Sequence, residues 1–175
     1  LAPHSQVGSL HPLQSYPGPE IRIPAPAETP AAIAGTPLAK QQAWQLAEAL
    51  GFQPFTVDGD RRAYHAAAVV AGNFATILLD QACLLLAQAG VDPSNAPAIL
   101  SPLMRSSIDQ PPGVLPLQAL TGPLARGDAQ TVERHMEFME LHGPEILEIY
   151  KKDATETHAP PDSPRQPQTA PDGPR

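Results

Sequence analysis

Between Tyr64 and Ala89 the chain carries one formally charged side chain, Asp80, and this long apolar segment constrains the fold more than any other feature. At helical pitch, four polar residues of the Arg61 to Ala89 segment, His65, Asn73, Thr76 and Asp80, fall within roughly 100° of arc. The other faces are apolar, built from alanines with Val70, Phe74, Ile77, Leu78, Leu79 and Leu84 to Leu86. A helix that is apolar on most sides is expected to be wrapped by other helices, which turns its polar stripe toward an internal pocket. Imidazole, amide and hydroxyl groups in that stripe suit a small molecule better than bulk water. The bland alternative is that Asn73 and Thr76 bond neighbouring carbonyls and His65 is structural. An unpaired buried amide costs about 1–3 kcal/mol, so a buried Asn73 requires some partner.

At about 1.5 Å per residue the segment is long enough to cross a bilayer. Its alanine content and its His, Asn and Asp favour the buried helix of a soluble protein, so no membrane partner is expected. A formal charge of −7 without any Lys/Arg cluster excludes nucleic acid as an expected partner. The single cysteine, Cys83, gives neither a disulfide framework nor a thiolate metal site, and a cytoplasmic location is expected. His135 and His142 share a helix face but lack a third ligand, so no metal is expected.

Proline is abundant, at 23 of 175 residues, and concentrates before Pro37 and after Ala159. Residues 5–10 and 31–34 read as short strands. Thr36 and Pro37 are an N-cap and first-turn signal for a helix to Leu50, closed by Gly51. Phe52 to Val57 alternates as a strand, and Pro54 confines it to an edge or a bulge. Asp58-Gly59-Asp60 is a turn, after which the long helix runs to Gly90. Further helices are expected over residues 96–108 and from the N-cap Asp128 to Leu141, with a short one opening at Pro144. These elements define a mixed α/β unit at 1–59, an all-helical unit at 60–152 and a disordered tail at 153–175. The start at Leu1, running straight into proline-rich sequence, reads as a fragment, and no secretory leader is expected.

Three motifs, in order, carry a family resemblance: Ser9-Leu10-His11-Pro12-Leu13-Gln14, then Tyr64-His65-Ala66-Ala67-Ala68 with Asn73-Phe74, then Leu120-Thr121-Gly122-Pro123-Leu124-Ala125-Arg126-Gly127-Asp128. Together they resemble the Rossmann-like oxidoreductases that carry the C-terminal domain of unknown function 2520. The resemblance implies a mainly α fold. A helical domain like the C-terminal part of 6-phosphogluconate dehydrogenase and pyrroline-5-carboxylate reductase would follow the last α/β elements of a Rossmann-like domain. It also implies NADP or NAD as cofactor, a small-molecule substrate and a homodimer. No glycine-rich phosphate-binding turn occurs in the chain, so the fragment alone is expected to be inactive and to hold no dinucleotide tightly.

Related dehydrogenases place a Lys one turn before the Asn of this helix, where Val69 stands here. The resemblance therefore makes Asn73 a catalytic candidate that holds the substrate's oxygen or hydroxyl, and the proton role passes to His65, the second catalytic candidate and the nearest substitute, because imidazole can supply a proton at neutral pH. Thr76, Thr121 and Arg126 are the substrate-binding candidates, Arg126 through a fork that matches a carboxylate. His11 and Gln14 are the cofactor-binding candidates, beyond the end of a strand where α/β sheets place ligands. The expected activity is reduction of a small carbonyl or imine, such as a 2-oxo acid like ketopantoate. The alternative is a non-catalytic helical dimerisation or interaction module.

Overall fold

The structure, a computed structural model, describes residues 5–16, 18, 25–111 and 113–156. It is mainly helical with one small sheet, as the sequence predicts. Two compact units divide between Thr76 and Ile77.

In the first unit, β1 (Gly8–Pro12), β2 (Pro30–Gly35) and β3 (Gln53–Thr56) form a sheet in that order. β1 is antiparallel to β2, and β2 is parallel to β3. A parallel pair needs a crossover, supplied by helix α1 (Pro37–Ala49). Central β2 is buried from Ala31 to Ala34, and Ala31 and Ile33 meet Ala47 of α1 in a core flanked by Leu10, Ala43, Trp44 and Phe52. Small residues let α1 approach closely: a Cβ on Gly8 would lie 2.9 Å from that of Ala39. The expected strand at 5–10 lies later, since β1 pairs through His11 and Pro12. An edge strand tolerates proline because its missing N–H need not enter the ladder.

Thr36 occupies the N-cap position, but its side chain does not cap; its hydroxyl donates to Gln6 Oε1 at 2.6 Å. Pro26–Glu28 forms a 3-10 turn that the sequence reading did not contain.

The long helix forms where expected but is not uniform. It comprises α2 (Arg61–Val69), a π turn (Val70–Phe74) and α3 (Ala75–Gln88). Asp60 caps it by accepting from the Arg62 backbone N–H at 2.8 Å. The expectation that other helices wrap it is overturned. No residue of α2, the π turn or α3 is buried, and Val70, Phe74, Ile77 and Leu84 are each about half exposed.

In the second unit, α4 (Ala96–Ile108) has the predicted bounds. A 3-10 turn (Pro116–Ala119) and the short α5 (Gly122–Arg126) follow, both unanticipated. Helix α6 (Ala129–His142) begins at the predicted cap, where Asp128 accepts from both the backbone N–H and the hydroxyl of Thr131. Helix α7 (Pro144–Glu156) is longer than expected and passes the point at 153 where order was expected to end. Val132 of α6 and Leu147 of α7 are buried, and His135 Nδ1 lies 2.7 Å from Tyr150 Oη, joining the two helices. The rest of the predicted tail, 157–175, lies outside the described residues.

Candidate functional site

The sheet register builds the candidate site. His11 of β1 is opposite Ala32 of β2, which is opposite Phe55 of β3, so the three form one row across the sheet. Side chains alternate along a strand, and the next row, Leu10, Ile33 and Thr56, carries the residues that pack on α1. His11 and Phe55 therefore project from the face opposite α1. Tyr64, in the first turn of α2, meets both. Its hydroxyl lies 2.6 Å from His11 Nδ1, and its ring makes edge contacts with His11 at 5.8 Å and Phe55 at 6.3 Å between centroids. Partial burial raises the Tyr64 phenol above its ordinary value, and the charge of Arg61 opposes that rise. The hydroxyl thus keeps its proton at neutral pH.

The nominated helix residues fall on this unit in a different relation. His65 follows Tyr64 directly, so it points about 100° away around the helix. It is exposed, and neither its ring nor the Asn73 carboxamide has a hydrogen-bond partner among the described residues. Asn73 lies inside the π turn. Hydrogen bonds from i to i+5 wind less per residue than an α-helix, so residues beyond the turn lag the phase that uniform α-helical pitch predicts. Thr76 closes the unit with its hydroxyl donating to the Gly72 carbonyl at 3.3 Å, the local bond anticipated as its bland reading. Asp80 lies beyond the division and is exposed.

Of the two cofactor candidates, His11 is joined to Tyr64, and Gln14 Nε2 donates to the neighbouring Ser15 carbonyl at 3.2 Å. The described residues do not fit the pyrophosphate of a dinucleotide. The turn that opens α1 is Gly35-Thr36-Pro37: the space a Gly35 Cβ would take is already filled by Val7 O and Gly8 Cα, and Pro37 has no N–H to donate. A shallow groove of about 390 Å³ lies elsewhere, lined by Lys40, Trp44, Glu48 and Thr56 among others, and holds none of the nominated residues.

In the second unit, Thr121 is the N-cap of α5 without a side-chain capping bond, and Arg126 lies in its last turn, exposed. The Asp128 carboxyl is held below its ordinary range chiefly by the Thr131 hydroxyl, with a smaller contribution from the Arg126 charge. No group of three or more His, Cys, Asp or Glu able to hold a metal occurs among the described residues. The pairing of Tyr64 with His11 is not among the contacts the sequence predicts. Strand alternation held the missing signal, because Leu10 facing the core obliges His11 to face away from it.

Residues 29–157 match the family model described as Domain of unknown function (DUF2520), and the chain belongs to that family. Two solved structures share the fold. One is BF3122 from Bacteroides fragilis, assigned as an NADP oxidoreductase, with a TM-score of 0.70 and 20% identity over 90% of this chain and 59% of that one. The other is protein TM1727 from Thermotoga maritima, with a TM-score of 0.65 and 25% identity over 85% of this chain and 62% of that one. The chain therefore spans about three-fifths of each. Among curated proteins, none matches this chain.

Proposed function

We propose that this chain is part of an NADP- or NAD-dependent oxidoreductase that reduces a small carbonyl or imine compound. The observation that carries the reading is Asn73, whose carboxamide lacks a partner among the described residues and stands in a π turn within an otherwise α-helical segment. Single π turns inside α-helices recur at functional sites, where they set the direction of one side chain against its neighbours. Asn73 offers both a donor and an acceptor to a substrate oxygen or hydroxyl. The fold shared with BF3122 supports the oxidoreductase class.

The test is to screen the gene product that carries this chain for NADPH and NADH oxidation against 2-oxo acids, ketopantoate included, and cyclic imines. Turnover with one class, reduced at least tenfold in Asn73→Ala, is the expected result. No oxidation with any member by a folded protein overturns the reading.

A second reading, a helical dimerisation module, is favoured by one specific observation: the uncovered apolar helix from Arg61 to Gln88. A second copy of the chain would cover that face whether or not the protein is catalytic. In the enzymatic reading the homodimer and the substrate site belong to the same molecule.

A further inference from the structure

Gly72 is the one glycine between Arg61 and Ala89, and neither packing nor turn geometry accounts for it. A Cβ there would meet nothing within 4 Å, so no neighbour demands the space, and its φ is not positive. Glycine in a helix interior weakens the helix, because it has the most backbone freedom to lose. Three further features converge on this residue. It lies at the middle of the π turn (Val70–Phe74), the one π turn among the described residues. Its carbonyl accepts from the Ala75 N–H and, at 3.3 Å, from the Thr76 hydroxyl. A Thr hydroxyl bonded to the carbonyl four residues back often bends a helix, and sharp kinks arise at π turns and glycines. The division of the chain into two compact units, between Thr76 and Ile77, falls just past the turn.

We propose that the π turn is a hinge at which α3 changes direction relative to α2, and that Gly72 is the residue that permits the bend. Opening at one point of a helix is easiest where few buried apolar contacts oppose it, and no residue of α2, the π turn or α3 is buried. A hinge is a few residues that absorb backbone rotation between rigid flanks. Both flanks have the means to stay helical: Asp60 caps α2 through the Arg62 N–H, and Ala75–Gln88 contains neither glycine nor proline. Asn73 follows Gly72 directly, so a bend turns its carboxamide with respect to Tyr64 and His65 in α2. The hinge thereby governs which way Asn73 faces. It does not depend on the oxidoreductase reading, since a non-catalytic chain can carry it equally.

Residual dipolar couplings of the backbone amides in the full chain test this without ligand or cofactor. In the wild type, α2 and α3 should align with different degrees of order, the signature of two arms that move separately. Gly72→Ala fits the open space, favours an uninterrupted α-helix and should bring both arms to one degree of order. Hydrogen exchange of the amides from Asn73 to Ile77 should slow about fivefold in the same variant. Equal order in α2 and α3 of the wild type, whether the arms are collinear or fixed at an angle, overturns the hinge. Unequal order that a folded Gly72→Ala leaves unchanged, with exchange also unchanged, overturns the role given to Gly72.

Discussion

Lys40 Nζ lies 2.6 Å from Asp58 Oδ1, and the pair ties the first turn of α1 to the loop that leaves β3. The hydrogen bond from Lys40, with its charge, holds the Asp58 carboxyl below the usual carboxylate range. A depressed carboxylate contributes stability that is present above its unfolded value and is lost as the pH falls through the folded one. The Asp58 side chain is 65% exposed, so solvent and salt screen most of the attraction. Asp58→Asn is expected to lower Tm slightly at neutral pH in dilute buffer, and by less still in 1 M salt. Thermal melts of both proteins at the two ionic strengths check this, and an equal loss at both would mean that charge is not the cause.

Asp60 acts on the helix itself. Its carboxylate accepts from the Arg62 backbone N–H and from the Arg62 guanidinium, which lower its pKa from 3.8 to about 2, the guanidinium contributing most. Its support for the first turn of α2 is therefore complete above pH 3.8 and disappears as the pH falls toward 2. Hydrogen exchange should show the amides of Arg62 to Tyr64 losing protection in Asp60→Ala at neutral pH. In the wild type the same amides should lose it only in that acid window.

Gly35 has φ +139°, and a Cβ there would lie 2.3 Å from Val7 O and 2.5 Å from Gly8 Cα. Both contacts are backbone, so relief requires β1 to separate from β2 at the end of their ladder. Gly35→Ala is expected to cost about 1–3 kcal/mol from the strained backbone and more from the clash. Because His11 rides on β1, the His11–Tyr64 bond should weaken with it. Urea unfolding gives the first quantity and the His11 NMR signal reports the second.

Much of the fold was legible from sequence because local chemistry decided it. Helix α4 ends where expected, between Pro97 and the break after Ile108, and α6 starts at Asp128 because a carboxylate there satisfies the N–H of Thr131. Central β2 was legible as a short apolar run, and β3 as an edge strand from Pro54. The π turn was not, since a uniform 100° step assumes one hydrogen-bond pattern throughout and Gly72 imposes no side-chain preference of its own. Helix α7 outran its expected end because the proline that would stop it comes only at Pro160, beyond Glu156. The helical segment that carries His65, Asn73 and Thr76 was legible from its apolar pattern, but the Tyr64 contact with His11 joins residues 53 positions apart, which periodicity along one segment cannot reveal.

The largest departure from expectation yields the last prediction. Phe74 is 49% exposed, and Ile77 and Leu84 are each 54% exposed, on a helix that is long and apolar enough by length and composition to cross a membrane. Exposed apolar patches beyond a few hundred Å² mark interaction surfaces, and twofold dimers are the commonest homo-oligomers, so a second copy of the helix is one occupant that would cover it. Ile77→Glu, alone or with Leu84→Glu, should leave the core around Ile33 intact while raising the dimer dissociation constant by at least a hundredfold. Sedimentation at micromolar concentration should then show a dimer for the wild type and a folded monomer for the variant. A wild type that sediments as a clean monomer removes the second copy as the occupant. One that floats with uncharged phosphatidylcholine vesicles, while Ile77→Glu does not, replaces it with a lipid surface.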